Sequence, residues 1–169
     1  LGRERMIEAI RRFLERNRFA AAPFARMADL VEAFRSVASP SQQSIITDFF
    51  ERRTLFDIAA TQASATALGE GRYEVRVDVR AGKRYAGPNG ETRSAAFEYP
   101  VELVAFGERT EQAGAREILH RERVTPAELA SGTVTIEVPG MPQEVGLDPF
   151  FRLLDRDHQD NRVAVSGPG

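Results

Sequence analysis

The chain has 169 residues, 42% hydrophobic and 28% charged, ordinary proportions for a globular protein with room for a small helical unit joined to a sheet domain of about 100 residues. A formal charge of −2 gives no overall field to gather nucleic acid or an anionic membrane, and the absence of cysteine excludes disulfides, thiolate metal sites and a cysteine nucleophile. No window approaches the roughly 18 apolar residues of a spanning helix, and no signal-peptide pattern opens the chain.

Residues 3–18 carry the first periodic pattern. Met6, Ile7, Ile10, Phe13 and Leu14 fall on one stripe of a 3.6-residue period, which predicts an amphipathic helix. Glu8 is placed to pair with Arg12 one turn later. Arg11, Arg12, Arg16 and Arg18 raise a nucleic-acid reading, but Glu4, Glu8 and Glu15 interrupt them, so we take them as a solvated helix face. Pro23 breaks the pattern, and Met27, Leu30, Val31 and Phe34 restart it as a second helix. A third has a full start signal, with Ser39 as N-cap, Pro40 in the first helical position and Gln42 completing a capping box. Ile45, Ile46, Phe49 and Phe50 form its apolar face.

After Arg53 the period changes from 3.6 to 2. Thr54–Ala67 alternates through Phe56, Ile58 and Ala60 and weakens in its alanine-rich half. Gly69-Glu70-Gly71 reads as a turn. Tyr73, Val75, Val77, Val79 and Ala81 then alternate with charged residues, the pattern of a half-buried antiparallel strand. Gly87-Pro88-Asn89-Gly90 marks a loop, Phe97–Ala105 a strand, and further strands are expected at 116–124, 132–138 and 144–147. The expectation is an α+β chain, a three-helix segment over 1–53 followed by an antiparallel, immunoglobulin-like β-sandwich of six strands over 54–169. No flexible linker separates the two parts, which argues for rigid docking.

Candidate chemistry is sparse. Only His120 and His158 exist as imidazole bases, and His120 lies mid-strand with no serine elbow beside it. His-Glu-x-x-His and both Gly-rich phosphate loops are absent from the sequence. The one acidic constellation is Asp155-Arg156-Asp157-His158-Gln159-Asp160-Asn161. Asp155, Asp157 and Asp160 offer oxygens to a hard cation such as Ca²⁺, but the sharp-turn glycine is missing and position 166 is Ser rather than a closing Glu. The alternative is that these side chains accept backbone N–H groups and tie the C-terminal segment down. Phe49-Phe50 and Phe150-Phe151 read as rings packed at seams between elements, in preference to partner anchors.

Three stretches together resemble a family. Ile46-Thr47-Asp48-Phe49-Phe50-Glu51-Arg52-Arg53-Thr54-Leu55-Phe56-Asp57, the strand ending Lys83-Arg84-Tyr85-Ala86, and the tail are similar to the C-terminal region of bacterial zinc aminopeptidase-like (gluzincin) proteins fused to ABC-transporter-permease-like membrane segments. In the tail the matching residues are Val145-Gly146-Leu147-Asp148-Pro149-Phe150-Phe151, then Leu154-Asp155-Arg156-Asp157 and Asp160-Asn161. None of these motifs is catalytic in the family. The resemblance implies that the zinc-binding His-Glu-x-x-His lies before Leu1, so that no catalytic, cofactor or metal residue falls in this region and the region is not itself an enzyme. It further implies a bacterial inner-membrane parent with this part soluble and outside the cytoplasm. The partner is then the upstream peptidase domain of the same chain, with no nucleic acid and no direct membrane insertion. A start at Leu1-Gly2-Arg3 fits a segment cut from a larger protein. Two other readings are a sandwich that binds protein or glycan through loops 86–96 and 107–115, and a calcium-stabilised surface domain. Exposure of the stripes of the first two helices would favour a missing partner over a self-contained module.

Overall fold

The computed structural model describes residues 1–109 and 116–167, which form two compact units, Leu1–Arg53 and Thr54–Gly169. The architecture is α+β, a helical segment followed by a mixed, curled sheet of eight strands.

In the helical unit, α1 runs Arg3–Asn17, α2 Met27–Val37 and α3 Gln43–Phe50. The expected start of the third helix is present in modified form. Ser39 is the N-cap and Gln42 Oε1 accepts from its N–H at 3.1 Å, but Pro40–Gln42 is a 3₁₀ turn that leads into α3. Ala9, Val31, Phe34 and Ile46 make a small buried core, flanked by Leu1, Leu30, Ala33 and Val37. Arg35 clamps α2 to α3. Its guanidinium donates to Gln43 Oε1 at 2.9 Å, to Thr47 Oγ1 at 2.8 Å and to Glu51 Oε2 at 2.7 Å. The hydrogen bond from Arg35 holds the Glu51 carboxyl below its ordinary range. Phe50 stacks on Phe34, ring centroids 5.6 Å apart.

In the sheet unit, β1 (Thr54–Gly69) and β2 (Arg72–Ala86) form a long hairpin whose turn holds Gly69, Glu70 and Gly71 at positive φ. Two glycines make that turn accessible at little cost. The pairing slips between Ala60 and Gln62, leaving Thr61 as a bulge, and the slip shifts the phase of burial. Buried positions are Phe56, Ile58 and Ala60 before it and Ala63 and Ala65 after it. The weak alternation of this alanine-rich half therefore joins two alternations out of step, with Ala59 also buried next to the slip. Val75, Val77 and Val79 of β2 face the core, as expected from their spacing.

The outer edge of β2 is shared: β3 (Thr92–Ala95) pairs with its end and β6 (Thr133–Pro139) with its beginning. The expected strand at Phe97–Ala105 begins later, because Pro100 has no N–H to give a ladder. It is β4, Val101–Arg109, buried continuously from Val101 to Gly107. Phe97 and Tyr99 instead pack edge-on against Phe56, with centroids 5.6–6.1 Å apart. β4 pairs with β5 (Arg116–Val124) on one side and β7 (Glu144–Leu147) on the other, and β7 pairs with β8 (Arg162–Ser166). β8 then meets β1 in parallel through Ala63–Val165 and Ser64–Ser166, which makes the sheet mixed where a wholly antiparallel one was expected. Eight strands replace the expected six. β3 and β8 were missed, although Arg162-Val163-Ala164-Val165-Ser166 alternates legibly. Between β5 and β6, Thr125, Pro126 and Glu128 cap a short helix, α4 (Pro126–Ala130), by a true capping box.

Candidate functional site

The tail that runs from β7 to β8, residues 148–161, brings together most of the candidate side chains. Just before it, in β7, stands a glycine whose place any side chain would crowd. A Cβ on Gly146 would sit 2.7 Å from Pro149 Cβ and 3.2 Å from Arg162 Cγ, so the proline ring folds back only onto a bare backbone. Asp148 follows with φ 50° and its side chain inward. Its carboxylate accepts from the N–H of Arg152 at 3.1 Å and of Leu153 at 2.9 Å, closing a turn around Phe150 and Phe151. Burial raises the Asp148 pKa above the usual carboxylate range, and those two hydrogen bonds pull against the rise.

Three groups hold this turn to the sheet. The Asp148 N–H donates to Glu102 O of β4 at 2.7 Å, and Leu147 N–H donates to Asn161 O at 2.8 Å. Asn161 is fully buried and its Nδ2 donates to Asp148 O at 3.4 Å. Glu102, itself buried, accepts from Arg121 of β5 at 2.7 Å and lies 3.6 Å from Arg152. Phe150 packs edge-on against Phe106 and under the Arg121 guanidinium, while Phe151 packs against His158. The aromatic pair thus has one ring at the seam with the sheet and one on the tail itself.

Further along, the acidic constellation lies beside β1 and β2. With Leu55, Phe56, Asp57, Arg80, Arg84 and Arg156 it lines a groove of about 320 Å³. Asp155 bridges to Phe56, and its two oxygens accept from Ile58 N–H at 3.0 Å and Asp157 N–H at 3.2 Å. Asp157 accepts from Gln159 N–H at 3.2 Å. Asp160 pairs with Arg80 at 3.1 Å, and Arg80 also pairs with Asp57 at 3.0 Å. Burial, reinforced by Asp157 and Asp155, raises the Asp160 pKa against the pull of Arg80. Among the described residues no three carboxylate or imidazole groups converge in a way that could hold a metal ion. The carboxylates proposed for Ca²⁺ are thus engaged with backbone N–H groups and an arginine, the arrangement of an anchored tail.

His120 sits in β5, part-exposed, with Nε2 3.2 Å from Glu122 Oε2. His158 lines a shallow apolar depression with Phe151, Leu153 and Leu154. Of the loops considered for binding, 92–95 is β3, 107–109 belongs to β4, and 110–115 lies outside the described residues. Sequence reasoning passed over Glu102, and it named Asn161 and Lys83 only as members of longer stretches, without a role of their own. Lys83 is the lone lysine beside 22 arginines, and that singularity was the available signal. Its buried ammonium lies 5.0 Å from the Tyr99 ring centre, 5.4 Å from that of Tyr85 and 4.0 Å from Glu98. The ammonium is held at cation–π distance by the two tyrosine rings. No helix among the described residues is long and apolar enough to cross a membrane. Comparison of the chain with protein-family models, with curated proteins and with solved structures finds no match in any of the three.

Proposed function

We propose that this region is a non-catalytic accessory module, the C-terminal part of a membrane-associated zinc metallopeptidase of the aminopeptidase-like kind. Its curled sheet serves as the parent's accessory sandwich, immunoglobulin-like in architecture, and the zinc and its ligands belong to the upstream peptidase domain. One observation carries the reading: the acidic groups best placed for chemistry are each engaged within the chain itself, Asp155 and Asp160 holding the tail to β1 and β2, Asp148 closing the tail's own turn, and Glu102 pairing with Arg121 of the sheet and Arg152 of the tail. A general acid or base needs reach to a substrate, and these groups point at backbone N–H groups and arginines instead. The exposed stripe of α1 supports a module joined to something else over a self-contained one.

The test is direct. The purified 169-residue chain is expected to hold no stoichiometric zinc and to cleave no aminoacyl reporter. Bound zinc at one equivalent, or turnover abolished by a chelator, would overturn the proposal.

A further inference from the structure

Three asparagines occur in the chain, and their surroundings differ. Asn17 closes α1, where its Nδ2 donates to Phe13 O at 2.7 Å. The next N–H, that of Arg18, donates to Leu14 O at 2.8 Å. Asn161 is fully buried, its Nδ2 donates to Asp148 O at 3.4 Å, and Arg162 after it opens β8. Each of these two has its amide bonded and an arginine next in sequence, whose side chain crowds the approach to its own backbone nitrogen.

Asn89 is set apart on each count. It is exposed in the loop between β2 and β3, and its side-chain amide has no hydrogen-bond partner among the described residues. The residue after it is Gly90, held at φ 88° with open space where a Cβ would stand. The Gly90 N–H donates to Gly87 O at 3.3 Å, longer than an ordinary N–H···O bond and so the weaker restraint. The loop around it is closed by Gly87 N–H to Glu91 O at 2.8 Å and by Asn89 N–H to Glu91 Oε2 at 3.1 Å. The Glu91 side chain folds across Gly87, in the space a Cβ there would need.

We infer that Asn89-Gly90 is a self-modification site, where Asn89 converts to aspartate and isoaspartate and loosens the turn between β2 and β3. The Gly90 nitrogen gives its proton to hydroxide and attacks Asn89 Cγ. An N–Cγ bond forms, the bond from Cγ to the side-chain nitrogen breaks, and that nitrogen takes a proton from water and leaves as ammonia. Water then adds to either carbonyl of the succinimide ring, the ring C–N bond breaks there, and its nitrogen regains a proton. One opening restores the chain as aspartate, and the other routes the backbone through the former side chain as isoaspartate. The balance is amide and water to carboxylic acid and ammonia, with hydroxide returned. Both products set a new negative charge beside Glu91. Isoaspartate also adds a methylene to the loop that Gly87 and Glu91 close, next to the β2–β3 pairs Ala86–Thr92 and Tyr85–Arg93.

The experiment ages the full chain in warm, mildly alkaline buffer beside a sample near neutrality, and peptide mass spectrometry follows each asparagine. Asn89 should convert at least about tenfold faster than Asn17 or Asn161, and faster at the higher pH. G90A, which places a methyl beside the attacking nitrogen, should slow conversion at Asn89 by about tenfold or more. N89Q should stay unconverted at that position. Hydrogen exchange should show β3 losing protection in the aged chain and keeping it in aged N89Q. Far-UV circular dichroism checks that both variants are folded, as substitution in an exposed loop leads one to expect. Conversion of Asn89 no faster than that of Asn17 or Asn161, a rate indifferent to pH, or G90A converting as fast as the unchanged chain would overturn the inference. So would a converted chain in which β3 keeps its protection, or an equal loss of protection in aged N89Q.

Discussion

The helical unit and the sheet unit use similar residues to opposite ends. In the sheet unit the long apolar side chains of β4 are enclosed on both faces, with Leu103 and Val104 fully buried, and arginines such as Arg80 and Arg121 pair with nearby carboxylates. In the helical unit a comparable set of Met, Ile and Leu side chains on α1 stays exposed, and among the described residues only Arg12 and Arg16 of that helix have an ion pair. Apolar area removed from water stabilises by about 25 cal/mol per Å² whichever element supplies it, so the first arrangement is a finished core and the second an open surface. The contrast teaches that periodicity identifies which residues want burial, while only their neighbours decide whether they obtain it.

The sharpest way to break this comparison is a matched truncation. Leu103→Ala should lower sheet stability by roughly 2–5 kcal/mol, read by denaturant unfolding, while Leu14→Ala should change unfolding by under about 0.5 kcal/mol. Equal losses would mean that the α1 face is packed in solution. Next in size is Gly146→Ala, which forces a methyl into the Pro149 ring and should cost about 1–3 kcal/mol, with hydrogen-exchange protection lost first at Leu147 and Asp148. Arg35→Ala should act on the other unit alone. It removes the clamp between α2 and α3 and should raise exchange there without moving the sheet.

Acid should separate the two units more subtly. Glu51 has a lowered folded pKa, so its contribution is present above the ordinary carboxylate range and lost as pH falls through the folded value. Asp148 and Asp160 have raised folded pKa values, so the protonated fold is favoured: their contribution is full below the ordinary range and lost as pH rises through the folded value. Glu128 of α4, lowered by its hydrogen bonds from Thr125, acts in the sense of Glu51. Asp148→Asn, which tolerates the positive φ, should flatten the exchange-versus-pH profile around the tail and leave that around Arg35 unchanged. The smallest expected effect is that of calcium: millimolar Ca²⁺ or EDTA should leave the melting temperature where it was. A rise with Ca²⁺ would show Asp155, Asp157 or Asp160 exchanging backbone partners for a cation.

Local patterns alone determined a good deal. The stripes of α1 and α2, the cap at Ser39 and Pro40, the alternation of β2 and the change of period after Arg53 were legible because each depends on residues a few positions apart. Even what was passed over had a local signature, as in the capping box at Thr125 and Glu128 and the alternation at 162–166. Tertiary structure alone decided the rest. The phase slip at Thr61 follows from pairing with β2, and β8 beside β1 joins residues about 100 apart in sequence. The enclosure of Glu102 by Arg121 and Arg152, the fit of Pro149 on Gly146 and the engagement of the tail carboxylates depend on strands that no short window contains. Side-chain chemistry is written residue by residue, but whether a carboxylate is a ligand or an anchor depends on which N–H groups the fold brings within 3 Å or so of it.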